Sequence, residues 1–207
     1  MLKTSSSQTG FSLLEVLIAI LITAFGLLGL AALMGKMQVF ETEGYDRSQA
    51  MALLWNMRDR IQAGMRTDSQ ANALADANAY TDSGAMLTVG TGVSGYTPPC
   101  TGSGATLDLC EWHNALLGAA ETRSSTNVGA MTGARGCTEL VTAPDLTKGV
   151  CTPATFRVSV AWQGLVDSAA PDTTSGANQC GKDAYGTESK RRIISQQITI
   201  GIPGCTN

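Results

Sequence analysis

The stretch QTGFSLLEVLIAILITAFGLLGLAALMG, Gln8 to Gly35, decides how the chain begins to fold. From Val16 to Met34 it runs nineteen residues without a charge. As an α-helix that run is about 28 Å long, one hydrocarbon thickness. A helix in the core of a water-soluble domain is seldom apolar all round for such a distance, so the run predicts a membrane span. A cleaved secretory signal would have a hydrophobic region of about 7–15 residues ending in an A-x-A-like site, and the nearest match here is Gly29-Leu30-Ala31. Glu15 interrupts the pattern near its start. An ionised carboxylate costs about 2.5–3.5 kcal/mol at mid-bilayer and less near the interface, so compensation is expected. Headgroup depth, or a place in the first helical turn where the macrodipole favours an anion, is one form; a cationic partner is another.

Working outward, the helical signal continues past the apolar run. KMQVFETEGYDRSQAMALLWNMRDRIQAGM has no proline and two glycines, and Met37, Phe40, Gly44, Arg47, Met51, Leu54, Arg58, Ile61 and Met65 recur at spacings of three and four. Leu53 and Trp55 widen that face toward a domain beyond the membrane, and Gly64 offers a stop. The expectation is one helix from Phe11 to Ala63, about 80 Å long. Two helices with a bend near Gly44 are the alternative, since glycine costs about 1 kcal/mol in a helix interior.

The cysteines orient the chain. All six, Cys100, Cys110, Cys137, Cys151, Cys180 and Cys205, lie beyond the hydrophobic run, in even number and without a C-x-x-C pair. They indicate disulfides in an oxidising compartment and place the C-terminal part outside the cytoplasm. Six cysteines allow fifteen pairings. Pairing of sequence neighbours is favoured here: Cys100–Cys110 closing CTGSGATLDLC, Cys137–Cys151 bridging a hairpin, and Cys180–Cys205 pinning the C-terminal strand. A chain of 207 residues leaves room for one modest domain after the helix, and a net charge of −3 gives no reason to expect a general nucleic-acid binder.

Within that domain, RTDSQANALADANAYTDSGA has the small polar composition of a loop. TFRVSVAWQG alternates, with Phe156, Val158, Val160 and Trp162 on one face and Arg157, Ser159, Ala161 and Gln163 on the other. RRIISQQITIGIP places Ile194, Ile198, Ile200 and Ile202 together, with Gln196 out of pattern, and stops at Pro203. Shorter strands are expected at Met86–Val89 and Thr138–Thr142. Leu107–Leu117 reads as a short helix with Leu109, Trp112 and Leu116 on one side. Three or four antiparallel strands laid on the C-terminal half of a long helix give an α+β lollipop.

No constellation of reacting groups accompanies this frame. His113 is the only histidine and brings neither a second ligand nor a nucleophile, so a structural or solvent-facing role is expected. The glycines lack the strand-to-helix setting of a phosphate loop, and DSAAPDTTSG lacks EF-hand spacing. No metal or cofactor is implied. Lys190-Arg191-Arg192 reads as a solvated strand start, with contact to an anionic partner surface or DNA as its alternative.

The segment Gly10-Phe11-Ser12-Leu13-Leu14-Glu15-Val16, after the short polar MLKTSSSQTG, resembles the class III signal of the type IV pilin superfamily. Together with Tyr45-Asp46-Arg47-Ser48-Gln49-Ala50 and Met57-Arg58-Asp59-Arg60-Ile61, it is similar to minor pilins in particular. The resemblance runs through Ile61 and then thins to the Trp112 helix, the strand ending Val160-Ala161-Trp162, and the cysteines. Much of the leader signal is common to all class III substrates, so it identifies the superfamily rather than the member. A pilin-like lollipop is the fold it implies, with 1–10 a cleaved leader, 11–35 the membrane-spanning half of the helix, 36–64 its head-packed half, and 65–207 a disulfide-containing periplasmic head. The Cys180–Cys205 pair is similar to the C-terminal disulfide loop of many pilins.

That resemblance implies that prepilin peptidase cuts after Gly10 and N-methylates Phe11. Glu15 would then pair with the new terminal amine of a neighbouring subunit; a free α-amine, with a pKa of about 7.7–8.0, is mostly cationic at neutral pH. Phe11 and Glu15 are also i and i+4, which leaves pairing within one chain open. Gly26 and Gly29 would allow close approach of packed helices. The implied protein is no enzyme. Its partners would be the peptidase, other minor pilins, the major pilin and a large tip adhesin, and it would be stored in the inner membrane with its N-terminus cytoplasmic before entering an extracellular pilus. A minor pseudopilin of type II secretion shares the leader, although those of the corresponding type are usually shorter. A membrane-anchored periplasmic binding module or enzyme is the alternative of a different class.

Overall fold

Helix α1 spans Leu13–Thr67 in a computed structural model that describes residues 10–67, 72–124, 126–145, 147, 151–174 and 178–201. Ser12 starts it: its hydroxyl accepts the Leu14 N–H at 3.4 Å while its carbonyl takes the N–H of Glu15 at 3.0 Å. The chain divides after Thr42 into an N-terminal unit and a head, Glu43–Asn207. In the first unit every described side chain up to Gln38 is exposed, and it holds the one helix segment among the described residues that is long and apolar enough to cross a membrane.

The head begins with the remainder of α1. Its inward stripe is Ala50, Leu54, Met57, Ile61 and Met65, rotated from the expected one: Arg47 and Met51 face outward, and Trp55, expected against the domain, is 48% exposed. Apolar residues occupy more than one face of this helix, and only the position of the sheet chooses among them. Helical hydrogen bonding passes through both Gly44 and Gly64. Gly64 is no stop; a Cβ there would collide with the Tyr80 hydroxyl. Glycine is therefore present for close approach, and the helix ends a turn later than expected.

Two short helices and a small hairpin accompany the main sheet. Helix α2, Ala73–Ala79, occupies part of the stretch expected to be loop, with Ala73 and Ala77 buried; alanine's helix propensity and a covering surface outweigh the polar composition. Helix α3, Ala105–Leu116, buries Leu109, Trp112 and Leu116 as its spacing predicts. A small hairpin joins β2, Thr122–Arg123, to β3, Thr126–Asn127.

The main sheet contains β1 (Leu87–Gly90), β4 (Arg135–Thr142), β5 (Ala154–Gln163) and β6 (Arg191–Ile200), in the order β1-β4-β5-β6 and antiparallel throughout. The architecture is α+β, a pilin-like layout of a long N-terminal helix followed by a four-stranded antiparallel sheet. Phe156, Val158, Val160 and Trp162 enter the main core with Ile198 and Ile200, as their alternation requires. Ile202 lies outside the described residues.

Part of the other face of the sheet is covered too, while Ser195, Gln197 and Thr199 stay exposed on it. Cys137, Ala161, Cys180 and Tyr185 form a second small core, against which Met86 and Ile193 pack. The segment before β6 crosses this face, and Tyr185 donates its hydroxyl to the Gly133 carbonyl at 3.0 Å. Arg191, expected in solvent, is completely buried. Its Nε donates to Glu188 at 2.6 Å and its Nη1 to the carbonyls of Asn178 and Cys180 at 2.7 and 3.1 Å. Those contacts satisfy a charge that burial alone would make prohibitive.

The disulfides follow this second core. Cys100 is joined to Cys110, but Cys137 is joined to Cys180, with a Cα separation of 5.8 Å. Neither the Cys137–Cys151 nor the Cys180–Cys205 pairing holds. Cys137 sits opposite Ser159, five residues from the Thr142 end of its strand, about 17 Å along the chain. Cys151 lies beyond that end, out of reach of a bond that needs Cα atoms within about 7 Å. Cys151 is itself disulfide-bonded, and Cys205 lies outside the described residues.

Candidate processing and assembly site

Phe11, two residues ahead of α1, and Glu15 in its first turn line a shallow apolar groove with Val16, Ala19, Ile20 and Thr23. Glu15 lies in the first turn, near the positive end of the helix dipole. Among the described residues nothing in this unit covers it: Phe11 is 85% exposed and the residues following Glu15 are exposed on all sides. In the uncleaved chain the Phe11 nitrogen is an amide bonded to Gly10, without charge. A cation for Glu15 at that position exists only once the Gly10–Phe11 bond is cut. Thr23 satisfies its own hydroxyl on the Ala19 carbonyl at 2.7 Å, as a polar group in an apolar helix must. At Gly26 and Gly29 a Cβ would meet nothing within 4 Å, so neither glycine is required by this chain's own packing.

The head's polar clusters are structural in their geometry. His113 is buried, stacks on Tyr96 with ring centroids 5.1 Å apart, and accepts the Gly90 N–H on Nδ1 at 3.0 Å. Burial lowers its pKa below the ordinary value. Since Nδ1 must stay unprotonated to accept, the folded head prefers neutral His113. Its stabilising contribution is therefore complete above the unfolded pKa of about 6.5 and is lost as pH falls below it. We expect His113→Asn, which keeps an acceptor near Nδ1, to lose less stability than the parent between pH 7 and pH 5; urea unfolding at the two pH values measures the difference, and parallel losses would refute it.

Tyr80 donates to Asp108 at 2.6 Å, and Arg60 reaches Asp108 at 3.0 Å and Glu111 at 2.7 Å, tying α1, α3 and the chain after α2 together. Burial, followed by the bond to Asp108, pushes the Tyr80 hydroxyl pKa well above its usual range. Arg192 does not stand in solvent either: it pairs with Glu43 at 3.2 Å. Sequence patterning missed this bond because the partners are far apart in the chain. Among the described residues, no three His, Cys, Asp or Glu side chains cluster as metal ligands would.

Residues 5–31 match the family model described as the prokaryotic N-terminal methylation motif. No curated protein and no solved structure matches the chain. The match covers the leader, Gly10, Phe11, Glu15 and most of the apolar run. Joined to the α+β layout, it supports the class of type IV pilin-like proteins: prepilins, processed by a prepilin peptidase and held by an apolar N-terminal helix suited to membrane anchoring before assembly with other pilins. A structural, non-enzymatic role accords with that class.

Proposed function

We propose that the chain is a minor pilin of a type IV pilus, of the kind of the type IV pilus modification protein PilV. It is stored in the inner membrane with its head in the periplasm, and it joins other minor pilins to prime the pilus, ending at or near a tip that carries a large adhesin. Residues 1–10 are the leader, removed after Gly10; Phe11 is N-methylated; 11–35 anchor the subunit, 36–64 carry the helix into the head, and 65–207 form the rest of it. The observation that carries this reading is the methylation motif at the entry to a wholly exposed apolar helix. Such a helix leaves lipid only where similar helices replace it, and a paired Glu15 sets their register. Gly26 and Gly29, open on both counts, are where those helices approach. The six-cysteine head favours the pilus over a type II secretion pseudopilin.

The test is the N-terminal mass of the protein recovered from membranes with and without the prepilin peptidase. The expected product begins at N-methylated Phe11 only when the peptidase is present. A protein that keeps Met1, or is cut near Ala31, would overturn the proposal.

A further inference from the structure

Where the chain enters the head, the segment after β5 is strapped to α1. The Glu43 carboxylate accepts the Leu165 N–H at 2.7 Å and two N–H groups of Arg192 at 3.2 and 3.3 Å. Arg192 gives its other donors to the Val166 carbonyl at 2.7 Å, the Ser168 hydroxyl at 2.6 Å and the Ser189 carbonyl at 3.0 Å. Gly164 lets the guanidinium come this close, since a Cβ there would lie 2.6 Å from its central carbon. With these bonds made, the strap leaves two adjacent apolar side chains outside, Leu165 at 53% and Val166 at 46% exposure. The ion pair behind them is neutral as a whole, which lowers the cost of bringing this surface toward lipid. Tyr45, two residues past Glu43 and therefore on the opposite side of the helix, is 63% exposed.

Chain length says what lies beside this level of α1. Beyond Met34 a single cation, Lys36, precedes the exposed Met37 and Phe40, and a lysine at a helix end carries its ammonium out to the headgroups. The apolar surface of α1 therefore extends to Phe40, about the longest run that one span accommodates. Glu43 follows Phe40 by three residues, about 4.5 Å along a helix and no more than about 11 Å in any conformation. The headgroup layer is about 5–7 Å thick on each side of the hydrocarbon. A second subunit has to be met by diffusion, whereas the chain itself holds Glu43 and its strap at the bilayer. Apolar groups on two sides of the helix at one level also suit a plane that the helix passes through, and an aromatic such as Tyr45 is favoured there. Leu74, Val128 and Val141, by contrast, stand exposed in separate elements, as single apolar residues commonly do.

We propose that Leu165 and Val166, with Tyr45, are a lipid contact of the membrane-stored subunit, set into the headgroup layer of the bilayer that α1 crosses. The proposal rests on the membrane-spanning reading of residues 11–35.

The test reconstitutes the full chain at a low protein-to-lipid ratio into vesicles of phosphatidylethanolamine and phosphatidylglycerol, with a benzophenone side chain at Leu165, Val141 or Leu21. Val141 is 42% exposed, but its strand reaches through Thr138 to Tyr80, which lies against Gly64, about 32 Å along α1 from Glu43. After irradiation, lipid adducts at Leu165 should exceed those at Val141 several-fold. Adducts at Leu21 with none above the Val141 level at Leu165 overturn the contact, and so does capture of a second protein chain at Leu165 in place of lipid. No lipid adduct at Leu21 overturns the membrane span and the contact together. Without the benzophenone, a gadolinium-chelating lipid in nanodiscs should broaden the Val166 methyl resonances, assigned by their loss in Val166→Ala, and spare those of Val141; equal broadening overturns the contact.

Discussion

Glu15→Ala is expected to leave cleavage after Gly10 intact while reducing the amount of subunit in sheared pili by about tenfold or more. The scissile bond and the Phe11 that follows are untouched, so the peptidase retains its substrate. Incorporation is penalised from both sides. On the proposed pairing, the variant removes a charge-assisted hydrogen bond worth about 1.5–3 kcal/mol, and 1.4 kcal/mol corresponds to about a factor of ten in an equilibrium. It also removes the cost of holding a carboxylate in lipid, which makes the membrane-stored state more favourable. Glu15→Gln, which accepts a hydrogen bond without charge, should fall between the parent and alanine. The measurement is the ratio of processed protein in the pilus fraction to that in membranes. A normal ratio for the alanine variant would show that pairing of Glu15 between chains plays no part in assembly.

The second large effect concerns the head. Trp112 is fully buried, and its Nε1 donates to the Leu53 carbonyl of α1 at 2.9 Å. Its ring lies on the bare backbone of Gly136, where a Cβ would strike both Trp112 and Leu116. One side chain therefore joins α3 to α1 and to the sheet. Trp112→Ala should cost about 3–5 kcal/mol, the range for deleting a large aromatic from a packed core. That is a large share of the roughly 5–15 kcal/mol that stabilises an ordinary domain. Trp112→Phe keeps most of the apolar area and should cost less, through the lost hydrogen bond and a smaller void. Denaturant unfolding of the full chain in detergent, followed by near-ultraviolet circular dichroism, tests the order. A loss below about 1 kcal/mol for alanine would mean that α3 is not part of the cooperative core.

Some of this could be read in the chain before any coordinates. Strand β5 was legible because Phe156, Val158, Val160 and Trp162 alternate with shorter or polar residues, and period two has one physical meaning. Helix α3 was legible because Leu109, Trp112 and Leu116 repeat at three and four. The errors fall where a residue's environment is set by distant chain. Arg191 looked like part of a solvated basic run, yet the segment around Cys180 folds over it. Trp55 belongs to a helix with apolar residues on several faces, and local spacing cannot choose among them. Pairing neighbouring cysteines fails for Cys137, because the chain that crosses the outer face of β4 comes from far downstream. Ser159 and Ala161 are small, and nothing in their type announces that a second core lies on them.

The sequence by itself determined what depends on local code: a charge-free run long enough to span lipid, the Gly10-Phe11 junction with Glu15 one turn on, and the amphipathic periods of the head's helix and strands. Only the tertiary structure decided which face of the head's part of α1 is covered, that a second small core covers part of the sheet's outer face, and that Cys137 meets Cys180. Helix and strand periods follow from the geometry of adjacent residues, whereas burial and pairing depend on which distant segments the closed chain brings together.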